Sequence, residues 1–293
     1  MEHPTINQLK QFREEVYQSM KRSADALMNL VDALSGQRGA RTVAELSLEP
    51  GFERKYSSVY QAIGDFEVKG EEQEAKEKRL LQIIGKTVLE PERNGYWLLG
   101  TDGTPAPRPY ARTMEDRGFV YQPNVVKGNK PVTIGHRYSV LGHLPEKGEG
   151  EPNWIVPLVV KRIETQETDI SVGLKQLAML MTDDKLPWSG EMCVPVADTK
   201  YGTTEYLNGA AKYDNLVNII RMRSNRTLYL PPTPIEGDPQ SGHPTWYGEP
   251  FRLGDPATWP DPDRTVEMAY SSRRGRAYTI TIETWDEMQQ FQI

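Results

Sequence analysis

Apolar residues recur every three or four positions near the start of the chain: Ile6, Leu9, Phe12, Val16, Met20, Ala24, Leu27, Leu30, Val31 and Leu34. That spacing lines one face of a helix. Thr5 and Gln8 form a Thr-x-x-Gln capping box, and Gly36 stands where such a helix should stop. The pattern predicts one packed amphipathic helix over residues 5–35. A second box, Thr42-Val-Ala-Glu45, opens a short helix that ends near Pro50-Gly51, and Tyr56 to Ile63 reads as another with Ser57 or Ser58 near its start. Two short helices about a Pro-Gly turn have the outline of a helix-turn-helix, with Arg54, Lys55, Ser57, Ser58 and Tyr60 as its polar face. A plain helical bundle accounts for the same pattern equally well. The charged stretch 64–79 reads as a linker or an exposed helix.

After Pro91 the period changes from helical to extended. Tyr96 to Asp102 is a short apolar run ending in an acid, and the prolines between Thr104 and Pro109 are expected to end regular structure there. Gly135 to Leu144 and Trp154 to Ile163 are two more strand-like runs, joined through a Gly and Pro cluster. Helical spacing returns over Ile170 to Met181. Glu191 to Asp198 is then a buried-type strand, again ending in an acid. Thr203 to Ala211 predicts a short helix, Leu216 to Met222 a strand, and Val266 to Tyr270 with Arg276 to Glu283 a hairpin. Three antiparallel strands followed by helix, strand, helix, strand is the order of an RNase H-like mixed α/β sheet. Three regions follow: a helical N-terminal part over 1–92 that is a candidate for DNA binding, the first part of an RNase H-like core over 93–226, and a β-rich insertion over 227–293.

Charge and composition narrow the class. The 293 residues carry 37% hydrophobic and 26% charged side chains, ordinary for a globular chain and too apolar for disorder to be the default. The polar N-terminus lacks a signal pattern and no apolar run approaches a membrane span, so the expectation is a cytoplasmic protein with no membrane partner. Cys193 is the single cysteine, which excludes an intramolecular disulfide and a cysteine-based zinc cluster; its apolar setting predicts a buried thiol. The net charge of -6 argues against nonspecific wrapping of nucleic acid. Local charge differs, because Arg221, Arg223 and Arg226 lie close together, as do Arg273, Arg274 and Arg276. Such clusters either hold phosphates or decorate solvated loops.

Asp102 and Asp198 are the informative acids. Each ends a predicted strand, where a side chain emerges at the sheet edge. If the first and fourth strands are neighbours, the two carboxylates converge and offer hard oxygen ligands to Mg²⁺, or to Mn²⁺ in its place, flanking a phosphodiester. Either acid taken alone reads more readily as an N-cap or turn former. His3, His136, His143 and His243 show no metal-ligand spacing, and no Gly-x-Ser-x-Gly or phosphate-binding glycine loop is present.

Several motifs occur together in order: Gly100-Thr-Asp102-Gly-Thr-Pro105, Tyr121-Gln-Pro-Asn124, Lys127-Gly-Asn-Lys130-Pro-Val, Val196-Ala-Asp198-Thr, Arg221-Met-Arg-Ser-Asn-Arg226 and Gly242-His-Pro-Thr-Trp-Tyr-Gly248. Together they resemble the insertion-sequence transposases of the DDE type, in the branch with a strand-rich insertion after the second Asp. The resemblance implies Asp102 and Asp198 as the first two catalytic, metal-binding acids. It implies DNA as partner, both transposon terminal inverted repeats and target, with a homodimer in the DNA complex and a bacterial, nucleoid-associated setting. Arg54, Lys55, Lys127, Lys130, Arg221, Arg223, Arg226, Trp246, Arg273 and Arg274 are the candidate DNA contacts. Such transposases carry a third acid, a Glu, in a Tyr-x-x-Arg-x-x-x-Glu pattern after the insertion. Here the late match is Tyr270-Ser-Ser-Arg273, but Ala277 stands where the Glu belongs. The expectation is therefore a chain truncated before its third acid, with Glu283, Asp286 and Glu287 as the alternative ligands. Three readings stand: an active nuclease-transferase, an inactive fragment that binds DNA or a related transposase, and an RNase H-like scaffold.

Overall fold

The computed structural model describes residues 4–40, 42–67, 70–111, 113–122, 131–148, 152–232, 246–272 and 275–289. Lys127, Lys130, Arg273 and Arg274 lie outside the described residues.

The first helical stretch is two helices, α1 (Pro4–Ser19) and α2 (Ala24–Gly36), where the apolar spacing predicts one. The chain breaks at Ser23, whose φ of 48° is left-handed and whose hydroxyl bonds Asp65. The break has a tertiary cause. The apolar spacing runs straight through it, but α1 packs against α5 (Glu71–Gly85), whereas α2 packs against α4 (Tyr56–Phe66). Arg13 and Asp32 tie the two halves together, and Lys86 bonds Glu15 at 2.7 Å. Thr5 lies inside α1, so it does not cap it. Thr42 does cap α3 (Val43–Leu46), with Glu45 completing the box. Leu30, Ala33, Leu46, Phe52 and Val59 form the core of this helical part.

The main sheet contains β1 (Trp97–Pro107), β2 (Gly118–Tyr121), β3 (Val132–His143), β4 (Val156–Ile163), β5 (Cys193–Ala197) and β6 (Ile219–Ile220). Its order is β3-β1-β5-β6, with β4 and β2 both pairing β3, over residues 137–143 and 132–135 respectively. β1 is antiparallel to β3 and parallel to β5, and β5 is parallel to β6. Leaving β2 aside, the sequence β4-β3-β1-β5-β6 is the RNase H-like arrangement, a mixed sheet in a mixed α/β fold. The sequence pattern did not anticipate β2, and β6 is much shorter than predicted.

β1 also runs through the prolines expected to end it, pairing β3 as far as Pro107 with Gly135. Alternation explains why. The Arg108 N–H bonds Ile134 across the β3 side, while the Trp97 N–H bonds Met192 on the β5 side. Odd-numbered nitrogens of β1 therefore face β5, and β5 pairs β1 only as far as Thr101 with Ala197. The nitrogens of Pro105 and Pro107 fall on a free edge, where a missing donor costs no ladder bond.

Helix α6 (Asp169–Met181), capped by Thr168, packs on β3 and β4. Gln176 is fully buried and bonds the Ser139 hydroxyl at 2.6 Å, the Ser139 carbonyl at 2.9 Å and the Val159 carbonyl at 3.0 Å. Leu99, Leu141, Leu158, Leu180, Trp188 and Cys193 form the principal core. Burial raises the Cys193 thiol to about 12, which makes it the inert, buried cysteine that its setting predicts. A second cluster joins α6 to α7 (Thr204–Ala210) through Leu177, Tyr201 and Tyr206. Later in the chain β7 (Thr227–Tyr229) pairs β8 (Pro250–Arg252), and β9 (Arg264–Ser271) pairs β10 (Ala277–Thr284) as the predicted hairpin. Phe251 is buried between Trp259, stacked at 5.4 Å, and Trp285, edge-on at 5.1 Å.

Candidate functional site

β1 alternates between a buried side (Trp97, Leu99, Thr101) and a more open side (Leu98, Gly100, Asp102). Asp102 is thus an exposed position on the strand face opposite the core. It does not end the strand, as the sequence pattern predicts; it stands where β1 loses β5 as a neighbour. Thr101 pairs Ala197 in parallel register, and Asp102 and Asp198 each follow by one residue. Neighbouring strands lie about 4.8 Å apart, so the two acids leave adjacent strands at the same sheet edge. Ala197 in turn pairs Ile220, and Arg221 follows, its N–H bonding the Ala197 carbonyl at 3.2 Å. Across three successive strands the edge reads Asp102, Asp198, Arg221.

Nearby backbone N–H groups hold both carboxylates. Asp102 Oδ1 accepts from the Gly103 N–H at 2.7 Å, and Asp198 Oδ1 accepts from the Lys200 N–H at 2.9 Å. The donor set suits a hard divalent cation such as Mg²⁺, which binds one or two carboxylates and keeps several waters. Among the described residues, no third His, Cys, Asp or Glu completes a metal-holding group with them. Glu283 lies on β10 and Asp286 and Glu287 just beyond it, outside any such group.

A third acid lies close by but is already engaged. Asp169, at the start of α6, is 7% exposed. Its Oδ2 accepts from Arg137 at 2.9 Å and its Oδ1 from Lys200 at 3.1 Å. A methyl group added at Gly103 would strike Asp169 Oδ1 and lie 3.1 Å from Lys200 Nζ. The Arg137–Asp169–Lys200 bridge therefore sits on the α6 side of β1, against the residue next to Asp102. Sequence reasoning passed over all three. An Asp just after a Thr cap is what any helix start favours, and nothing in the chain order pairs it with cations 32 and 31 residues away.

The other predicted contacts are dispersed. Arg54 is exposed and engaged within its own helical part, bonding Asp25 and Asn29 at 3.2 Å each. Lys55, exposed, precedes α4. Arg223 is exposed and Arg226 half-buried beyond the sheet edge; Trp246 is 66% exposed. Residues 47–55 separate α3 from α4, longer than the three or four residues of a helix-turn-helix turn. His136 bonds the Glu115 carbonyl at 2.9 Å and His143 the Leu98 carbonyl at 3.1 Å, so the two histidines of β3 are held apart.

The family described as DDE superfamily endonuclease matches residues 15–290. The chain belongs to the DDE superfamily endonucleases. No curated protein matches this DDE endonuclease chain. Among solved structures it is similar to a Drosophila P element transposase strand transfer complex, with 12% identity and a TM-score of 0.23. That likeness covers 72% of this chain and 47% of the other, so the DDE chain spans about half the length of this neighbour. Among the described residues no helix is long and apolar enough to cross a membrane.

Proposed function

We propose that this DDE endonuclease chain is transposase-like: it binds transposon-end DNA at the edge formed by β1, β5 and β6, and its reaction class is divalent-metal-dependent strand cleavage and strand transfer. The observation that carries the reading is the parallel register of Thr101 with Ala197, from which Asp102 and Asp198 emerge side by side. When bound there, Mg²⁺ or Mn²⁺ would lower the pKa of an attacking water or 3′-hydroxyl and offset charge on the leaving oxygen. Asp102 and Asp198 would hold and orient the ion. Arg221, in the same row, would bind a nonbridging phosphate oxygen.

A second reading has its own support. With two carboxylates and no third metal-holding residue among those described, the chain fits a module that binds DNA or a related transposase without cutting. Labelled duplex DNA incubated with Mn²⁺ separates the two. Metal-dependent nicking that Asp102→Asn and Asp198→Asn each abolish supports the enzyme; DNA binding without nicking supports the module. Nicking that survives both substitutions would refute the proposed site.

A further inference from the structure

Asp169 presents an imbalance. One buried carboxylate bridges two cations, although one would neutralise it, and both cations remain partly open to solvent: the side chains of Arg137 and Lys200 are 40% and 43% exposed. The bridge thus carries a net positive charge, held beside the acidic edge by a group removed from water. A surface cation normally spends entropy on adopting one position. Here Asp169, fixed by the capped start of α6, has already imposed that order.

Lys200 is also tied to the acids from both directions. Its backbone N–H donates to Asp198, and its ammonium lies within reach of Gly103, the neighbour of Asp102. An ammonium has three donors. One meets Asp169, and the partly exposed side chain has the others to offer an anion arriving at the edge.

We infer that Lys200 is a DNA-phosphate contact of this edge, with Asp169 as its positioning residue and Arg137 as the second cation of the pair. The inference rests on the proposed reading of Asp102 and Asp198 as the reacting edge. Where their carboxylates would hold a metal on one side of β1, Lys200 and Arg137 would grip the backbone of the same DNA on the α6 side. A side chain at Gly103 would press on the bridge, its Cβ meeting Asp169 Oδ1.

The test uses the full chain and a labelled 25-base-pair duplex of arbitrary sequence, with affinity measured by fluorescence anisotropy at several salt concentrations. Losing one phosphate contact lowers the slope of log K against log salt by about 0.9. Lys200→Gln should weaken binding and flatten the slope by about that amount, Lys200→Arg should restore both, and Asp169→Asn should weaken binding while the melt stays cooperative. Acetylation footprinting of the unaltered chain gives a readout free of folding effects: DNA should protect Lys200. An unchanged slope in Lys200→Gln, no protection of Lys200, or no measurable DNA binding by the unaltered chain would each overturn the inference. Mn²⁺ binding by titration isolates the underlying reading. If Asp102→Asn and Asp198→Asn leave Mn²⁺ affinity unchanged, that reading fails whatever Lys200 does; if they abolish it while the Lys200→Gln slope is unchanged, only the Lys200 assignment fails.

Discussion

Replacing Gln176 with Leu removes the side chain that fastens α6 to the centre of the sheet. The amide is fully buried and makes three hydrogen bonds, two donated to the Ser139 and Val159 carbonyls and one accepted from the Ser139 hydroxyl. Leu fills nearly the same volume, so cavity formation is small. The Ser139 hydroxyl, itself fully buried, loses its acceptor at about 1–3 kcal/mol, and each lost amide–carbonyl bond adds about 1 kcal/mol. The apolar surface that Leu buries offsets roughly 1–2 kcal/mol. The expected net loss is about 1–4 kcal/mol, a fall in melting temperature of roughly 2–7 °C for a chain of this size. Circular-dichroism melts of the single variant, and of the double variant with Ser139→Ala, measure it. The double variant should recover about 1–2 kcal/mol, because no hydroxyl is then left unpaired. A single variant that melts with the parent chain, or a double variant no better than the single, would refute the claim that this network holds the helix to the sheet. Ser139 also pairs Gly103 in register, so the same loss should loosen the strand that presents Asp102.

Three further outcomes are expected. His143 is 2% exposed and burial lowers its pKa below the ordinary value of 6.5; the unfolded chain therefore binds the proton more readily, so this stability is present above pH 6.5 and is lost as pH falls from there toward the folded value. Each pH unit in that window costs up to about 1.4 kcal/mol, and His143→Phe should flatten the fall in melting temperature between pH 7 and pH 5. Pro105→Ala and Pro107→Ala should each change stability by less than about 1 kcal/mol, since their nitrogens face a free edge; a larger loss in urea titration would contradict that geometry. Gly103→Ala should cost about 1–3 kcal/mol by overpacking and should weaken DNA binding with Asp102 and Asp198 intact, whereas an unaffected melt would show that the Asp169 bridge can move aside.

The sheet was legible in the sequence because its strands alternate or run apolar over short lengths, and the capping box at Thr42 marked a true helix start. Features set by tertiary contacts were not. Apolar spacing alone cannot register the break at Ser23, because the spacing is continuous and only the choice of different packing partners divides it. Proline content suggested an early end to β1, since the sequence does not show which edge of a strand a nitrogen faces. Asp102 and Asp198 stood out because each closes an apolar run. Asp169 stayed hidden because it looks like any helix-start acid until Arg137 and Lys200 are seen to converge on it.

That convergence also bears on how an acidic chain could hold DNA. The net charge of -6 belongs to the whole surface, whereas binding at one edge depends on charges within a Debye length of it, about 8–10 Å. The Glu-rich start of α5 lies on a different element. Asp102 and Asp198 contribute two negative charges and Arg221 one positive charge at the β1, β5 and β6 edge, and on the α6 side of β1 Arg137 and Lys200 contribute two positive charges against the single charge of Asp169. The edge is thus close to neutral before any metal arrives. A divalent ion at the two carboxylates would make it positive. Metal and DNA should therefore bind cooperatively there, and Mn²⁺ should tighten DNA binding in the parent chain. In Asp102→Asn/Asp198→Asn, which lacks the ligands but gains positive charge, binding should be tighter without metal and indifferent to it. Isothermal titration of duplex DNA with and without Mn²⁺ checks both signs, and a double variant that still responds to the metal would place the metal elsewhere.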